Sequence, residues 1–159
     1  MALKLTTETR SEPTFYTLFG ISCHLKDYRI SFLLNRTLEL EFSKIEDFQG
    51  SSLYCSDHED GFNRFYLLAN RNVENILLPE LKQTDFLLLV EGPFKKAQKE
   101  PLLQKIKSIP NILTAFEIRF ETIKNYEHLL ADLEMHTTNI RKEEKIKFSP
   151  TKKQEDSPC

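Results

Sequence analysis

Between Thr14 and Cys23 the chain reads TFYTLFGISC, an uncharged run of aromatic and β-branched residues that predicts a buried strand. From Asp27 the period lengthens. Ile30, Leu33, Leu34 and Leu38 recur at helical spacing while Arg29 and Arg36 fall on the other side, so Asp27–Leu38 is expected to be a helix with Asp27 as its cap. Leu38, Leu40 and Phe42 then alternate with Glu39, Glu41 and Ser43, the period of a half-buried strand. Ser52–Ser56 and Arg64–Asn70 read as two antiparallel strands joined by the acidic turn Asp57–Gly61.

Thr84–Glu91 is the most apolar segment and leaves no polar face for water, which predicts a central strand. Pro79 lacks an N–H donor and cannot sit centrally in a sheet, so Leu78–Gln83 is expected to be a loop, an edge or a short helix start. Gly92–Lys99 reads as a wet linker, and Glu100–Ile109 as a helix with Pro101 in its first turn and Leu102, Leu103, Ile106 and Ile109 on one face. A strand at Ile112–Phe120 and a helix at Glu121–Leu133 complete the order β-α-β-β-β-β-α-β-α. Its last four elements form β-α-β-α, and a right-handed crossover puts Ile112–Phe120 in the sheet of Thr84–Glu91. The expected architecture is α+β, a two-layer sandwich with a mostly antiparallel sheet, ferredoxin-like or related.

Composition narrows the functional classes. With 159 residues the chain has room for one core, and the expected organisation is a flexible stretch 1–13, a single domain 14–136 and a charged, disordered tail 137–159. The formal charge of −2, from 22 basic and 24 acidic residues, gives no general attraction for nucleic acid or an anionic membrane. Three cysteines at unrelated spacings, and no apolar run at the N-terminus, point to a reducing, cytoplasmic setting. The longest apolar run, Phe86–Val90, is far short of a membrane span.

The string Leu78-Pro79-Glu80-Leu81-Lys82-Gln83-Thr84-Asp85-Phe86 resembles the signature of the IPExxDVDY family, small bacterial proteins of the Bacteroidetes group. Asp27-Tyr28-Arg29-Ile30, the strand end Leu67–Asn70 and Ile109–Glu117 follow in the order of that family, so the resemblance spans roughly Phe15 to Leu130. Pro79, Glu80 and Asp85 match the motif, whereas Gln83 stands where the family has its first aspartate. The resemblance implies a bacterial origin and no particular activity. If the two acidic positions formed a metal or acid–base pair, this chain would lack half of it.

Three functional readings follow. In the first, the chain is a non-enzymatic interaction module that presents Pro79, Glu80 and Asp85 to a protein partner, with no cofactor and no bound metal. Against it stands the plainer reading that acidic residues at turns satisfy backbone donors or pair with a base. The second is an RNA-associated accessory protein using Lys95, Lys96 and Lys99, with Phe94 interleaved and the basic residues of the tail nearby; the plainer reading is a solvated face. The third is a small hydrolase or metal-dependent enzyme using Glu80 and Asp85, for which the sequence names no further ligand. Cys23-His24 and Cys55…His58 lack the spacing of a zinc site, since neighbours on a strand point to opposite faces. Glycines at 20, 50, 61 and 92 make no phosphate-binding loop. A strand at Ser52–Ser56 lying on a sheet edge leaves a homodimer as an open arrangement.

Overall fold

In the computed structural model, residues 15–57, 62–72 and 76–156 are described, with side chains up to position 143. The N-terminal stretch 1–13 and the acidic turn around His58 lie outside the described residues. The chain divides into two compact units, with the boundary between Thr122 and Ile123.

The first unit is a mixed α/β fold on one antiparallel sheet. Strand β1 (Tyr16–Cys23) leads to helix α1 (Asp27–Leu38), then to β2 (Ser43–Phe48), β3 (Ser51–Asp57) and β4 (Arg64–Ala69). A single 3-10 turn at Pro79–Leu81 precedes β5 (Phe86–Glu91), helix α2 (Lys96–Lys107) and β6 (Ile112–Ile118). The sheet order is β2-β3-β4-β5-β1-β6. Both β5 and β6 pair antiparallel with β1, so they run parallel to each other with β1 between them, and α2 is the crossover.

Register explains why β5 has no polar face. Leu67, Leu88 and Phe19 stand opposite one another across three strands, as do Leu68, Leu87 and Gly20 one residue further on. Phe86, Leu88 and Val90 face the cluster that also holds Ile30 and Leu34 of α1 and Leu102, Leu103 and Ile106 of α2. Both helices of this unit therefore cover the same side of the sheet. Leu87 and Leu89 on the other side are buried as well.

Some elements depart from the sequence pattern for local reasons. Leu40 and Phe42 are buried as their alternation predicts, but the strand begins only at Ser43. Glu39 takes a left-handed conformation (φ 58°) that ends α1, and the Asn35 side chain occupies both backbone groups of Phe42 by accepting from its N–H (2.7 Å) and donating to its carbonyl (3.3 Å). Asp27 is not the helix cap; Lys26 occupies that position, and Asp27 instead accepts a hydrogen bond from the Tyr54 hydroxyl. Helix α2 starts at Lys96, inside the expected linker, because the Lys95 N–H is held by the Gln98 side chain at 2.8 Å. Pro101 thus lies inside the helix, on its solvent side, where Ala97, whose carbonyl loses a donor, is exposed as well. Ser51–Asp57 is not an edge strand: β3 is paired on both sides, by β2 and β4, and the sheet edges are β2 and β6.

The second unit contains helix α3 (Tyr126–Asp156), which continues through the segment whose composition predicts disorder from Thr137. Lys, Glu and Arg are strong helix formers, and the polarity of this stretch argues against burial, not against local helix.

The buried phenols of the sheet set an alkaline limit on stability. Tyr66, opposite Leu89 and almost fully buried, donates to Glu91 Oε1 at 2.9 Å; burial and then the Glu91 charge push its pKa well above the ordinary phenol value. Burial, then Asp27, raise Tyr54 in the same direction. The native state therefore keeps protons that the unfolded chain releases near pH ~10, so stability is fully present below that pH and falls as pH rises above it. Unfolding free energies from urea titrations between neutral and strongly alkaline pH should fall above pH ~10 with a slope approaching about 1.4 kcal/mol per pH unit from Tyr66, with a smaller addition from Tyr54. In Tyr66→Phe that slope should shrink; an unchanged slope would remove Tyr66 from this account.

Candidate functional site

The motif string Leu78–Phe86 lies between β4 and β5 and ends on the first residue of β5, and its conformation is set by a residue outside it. Asn70 is completely buried. Its Nδ2 donates to the carbonyls of Leu81 and Thr84, each at 2.9 Å, and its Oδ1 accepts the N–H of Leu78 at 2.9 Å. Its backbone N–H donates to the Asp85 carbonyl (2.9 Å) and its own carbonyl accepts from Leu77 (2.7 Å). One amide side chain thereby fixes both ends of the Pro79–Leu81 turn, satisfying backbone groups that burial would otherwise leave without partners.

Asp85 ties this loop to the neighbouring strand. Its Oδ2 accepts the Cys23 N–H at 2.9 Å and its Oδ1 faces Arg71 Nε at 3.6 Å, while its backbone N–H donates to Ile21. Arg71 Nη2 also donates to the Lys82 carbonyl, and Ser22 Oγ donates to that of Gln83 at 2.8 Å. Gln83 is exposed and held through its backbone. Glu80 is exposed on the 3-10 turn. The Cys23 thiol beneath Asp85 is raised above its ordinary pKa by burial, with the Asp85 charge adding to the effect, so it is poorly suited to act as a nucleophile.

Beside this clamped loop lies an open cleft of about 660 Å³, lined by Leu25, Lys26, Asp27, Asp47, Gly50, Ser52, Ala69, Arg71, Asn72 and Phe86. Its volume is in the range of small-ligand and peptide sites. Leu25, Ala69 and Phe86 supply the apolar part, and two cations, Lys26 and Arg71, and two carboxylates, Asp27 and Asp47, supply the charge. Arg71 links the motif to the cleft, since the residue whose guanidinium is held by Asp85 and the Lys82 carbonyl is also one of those lining the cleft. Asp47 lies 3.2 Å from Lys44, and Asp27 is engaged by Tyr54.

The basic segment is arranged differently from an RNA-stacking surface. Phe94 packs edge-on against Phe19 and Phe65, each 6.2 Å away between centroids, so its ring belongs to the core. Lys99 pairs with Glu117 at 2.9 Å, which leaves Lys95 and Lys96 as the exposed cations at the start of α2. Cys23 lies on the helix-covered face, whereas Cys55 stands opposite Tyr66 on the other face. Among the described residues no group of three or more His, Cys, Asp or Glu side chains is placed to hold a metal ion. Among them, too, no helix is long and apolar enough to cross a membrane.

The pattern of the chain pointed to Pro79, Glu80 and Asp85 but gave no sign of Asn70, Arg71 or Lys26 as a group. Asn70-Arg71-Asn72 reads only as a turn, and the side-chain partners of Asn70 lie 8 to 14 positions further along. No protein-family model matches the chain. No curated protein matches it either.

Proposed function

We propose that the chain is a non-enzymatic binding module that takes a segment of a protein partner in the cleft between Lys26 and Arg71. One observation carries this reading: the Asn70 and Asp85 hydrogen bonds hold the motif loop so that Arg71 is presented on the cleft wall, opposite charges sharing a site with an apolar part. A rigid loop that fixes a polar group beside apolar lining lowers the ordering cost of binding. On this reading Pro79 and Asp85 act through the shape of the loop, and Glu80 on its exposed turn is a rim contact.

The strand order β6-β1-β5-β4, with helices after β1 and β5, supports a ferredoxin-like arrangement extended by the hairpin β2–β3. We propose a cytoplasmic setting as well, in keeping with three cysteines at unrelated spacings.

The test is capture from a native bacterial lysate, before and after ribonuclease, with wild type, Lys26→Glu and Glu80→Ala. Lys26 and Glu80 are both exposed, so neither change should cost more than about 0.5 kcal/mol of stability. A protein partner that survives the nuclease, is reduced about tenfold by Lys26→Glu and is changed less by Glu80→Ala is the expected result. Loss of every partner on nuclease treatment would replace this reading with RNA association.

A further inference from the structure

The solvent side of α1 carries a feature that the cleft alone does not explain. At 100° per residue, buried Ile30, Ser31 and Leu34 fix one side of the helix, and Arg29, Phe32 and Arg36 fall on the opposite side with Tyr28 beside them. Tyr28 is 64% exposed and Phe32 49%. The Arg36 guanidinium lies over the Phe32 ring, 5.7 Å from its centroid. The one acid of the helix, Asp27, is turned to Tyr54. Lys26, one residue before the helix, is both the start of this strip and part of the cleft. From Lys26 to Arg36 the strip is ~15 Å long.

Scattered exposed aromatics are ordinary on protein surfaces. Here two aromatic side chains and three cations lie along the exposed half of the helix, with Asp27 turned to Tyr54 at one end and Glu39 at the C-cap as its flanking acids, in a chain whose formal charge is −2. Aromatic residues and arginine are the types enriched at the centres of protein interfaces. We propose that this strip docks an acidic polypeptide segment of a protein partner, whose chain continues past Lys26 into the cleft. The inference rests on the binding-module reading and names the partner's chemistry. Carboxylates can take Arg29 and Arg36 in bidentate fashion while Arg36 stays stacked on Phe32. Arg36 covers one face of the Phe32 ring, which leaves a base less room to stack there than an extended peptide needs to lay carboxylates on the arginines, and this favours the polypeptide.

The experiment is fluorescence anisotropy on the full chain with three labelled probes: a glutamate/leucine peptide long enough to span the strip, a lysine/leucine peptide of equal length, and an oligouridine. The variants are Arg29→Glu/Arg36→Glu, Phe32→Ser and, as a charge-matched control on α2, Lys105→Glu/Lys107→Glu. The acidic peptide should bind wild type; its affinity should fall about tenfold or more in the arginine double variant and about threefold in Phe32→Ser, and stay within about twofold in the control. Unchanged thermal midpoints of these exposed-site variants show that folding is intact. Absence of acidic-peptide binding, an equal loss in the control, or binding of the oligouridine in its place would overturn the inference. If Lys26→Glu abolishes lysate capture while Arg29→Glu/Arg36→Glu does not, the strip fails and the cleft reading stands.

Discussion

Asn70→Ala is expected to destabilise the fold by roughly 3–5 kcal/mol, seen as a large drop in the urea midpoint without loss of cooperativity. The reason is the number of backbone groups that depend on one side chain. Alanine removes the donors to the Leu81 and Thr84 carbonyls and the acceptor for the Leu78 N–H, and Asn70 is fully buried, so water does not simply replace them. Asn70→Asp separates hydrogen bonding from packing. It keeps shape and the acceptor for Leu78 but turns a donor into a second acceptor facing two carbonyls, so it should destabilise at least as much as alanine. An aspartate variant close to wild type in stability would show that volume, not donors, matters at this position. Loosening this loop should also release Arg71, so both variants should lose partner capture along with stability.

Gly92→Ala is expected to cost roughly 2–5 kcal/mol, from two separable causes. Gly92 has φ +107°, a conformation strained for any residue with a side chain, and an added Cβ would lie 2.2 Å from the Phe62 carbonyl oxygen. That oxygen is backbone, so relief requires the chain to move, not a side chain to rotate. The displacement would disturb the Gly92 N–H bond to Phe15 (2.8 Å) and the Asn63 side-chain bond to the Pro93 carbonyl (2.9 Å), which together close this end of β5. Thermal or urea unfolding of the variant measures it. A change under about 0.5 kcal/mol would mean that the Phe62 segment yields freely.

How far the sequence discloses this molecule depends on the range of the interaction. Periodicity located β1, α1, β3, β4 and β5 to within a few residues, because burial of one or both faces is written in neighbouring positions. It failed where a side chain competes with the ladder, as Asn35 does at Phe42, and where a side-chain contact adds a turn, as Gln98 does at Lys95. Phe94 looked like a ring set among lysines, and only the fold shows it between Phe19 and Phe65. The cleft was not legible at all. It joins the end of β1, the turn into β3, the end of β4 and the start of β5, positions that no local pattern connects.

A partner bound as we propose, at the cleft and along α1 with the Pro79–Asp85 loop as support, passes close to Lys26 and Phe32 and away from Glu80. Site-specific photo-crosslinking in cells tests this most directly, with a photoreactive phenylalanine analogue placed in turn at Lys26, Phe32 and Glu80. Adducts of the same mass at Lys26 and Phe32, with a weaker one or none at Glu80, are the predicted result. A strong adduct at Glu80 with none at Lys26 or Phe32 would contradict it and make the motif loop itself the binding surface.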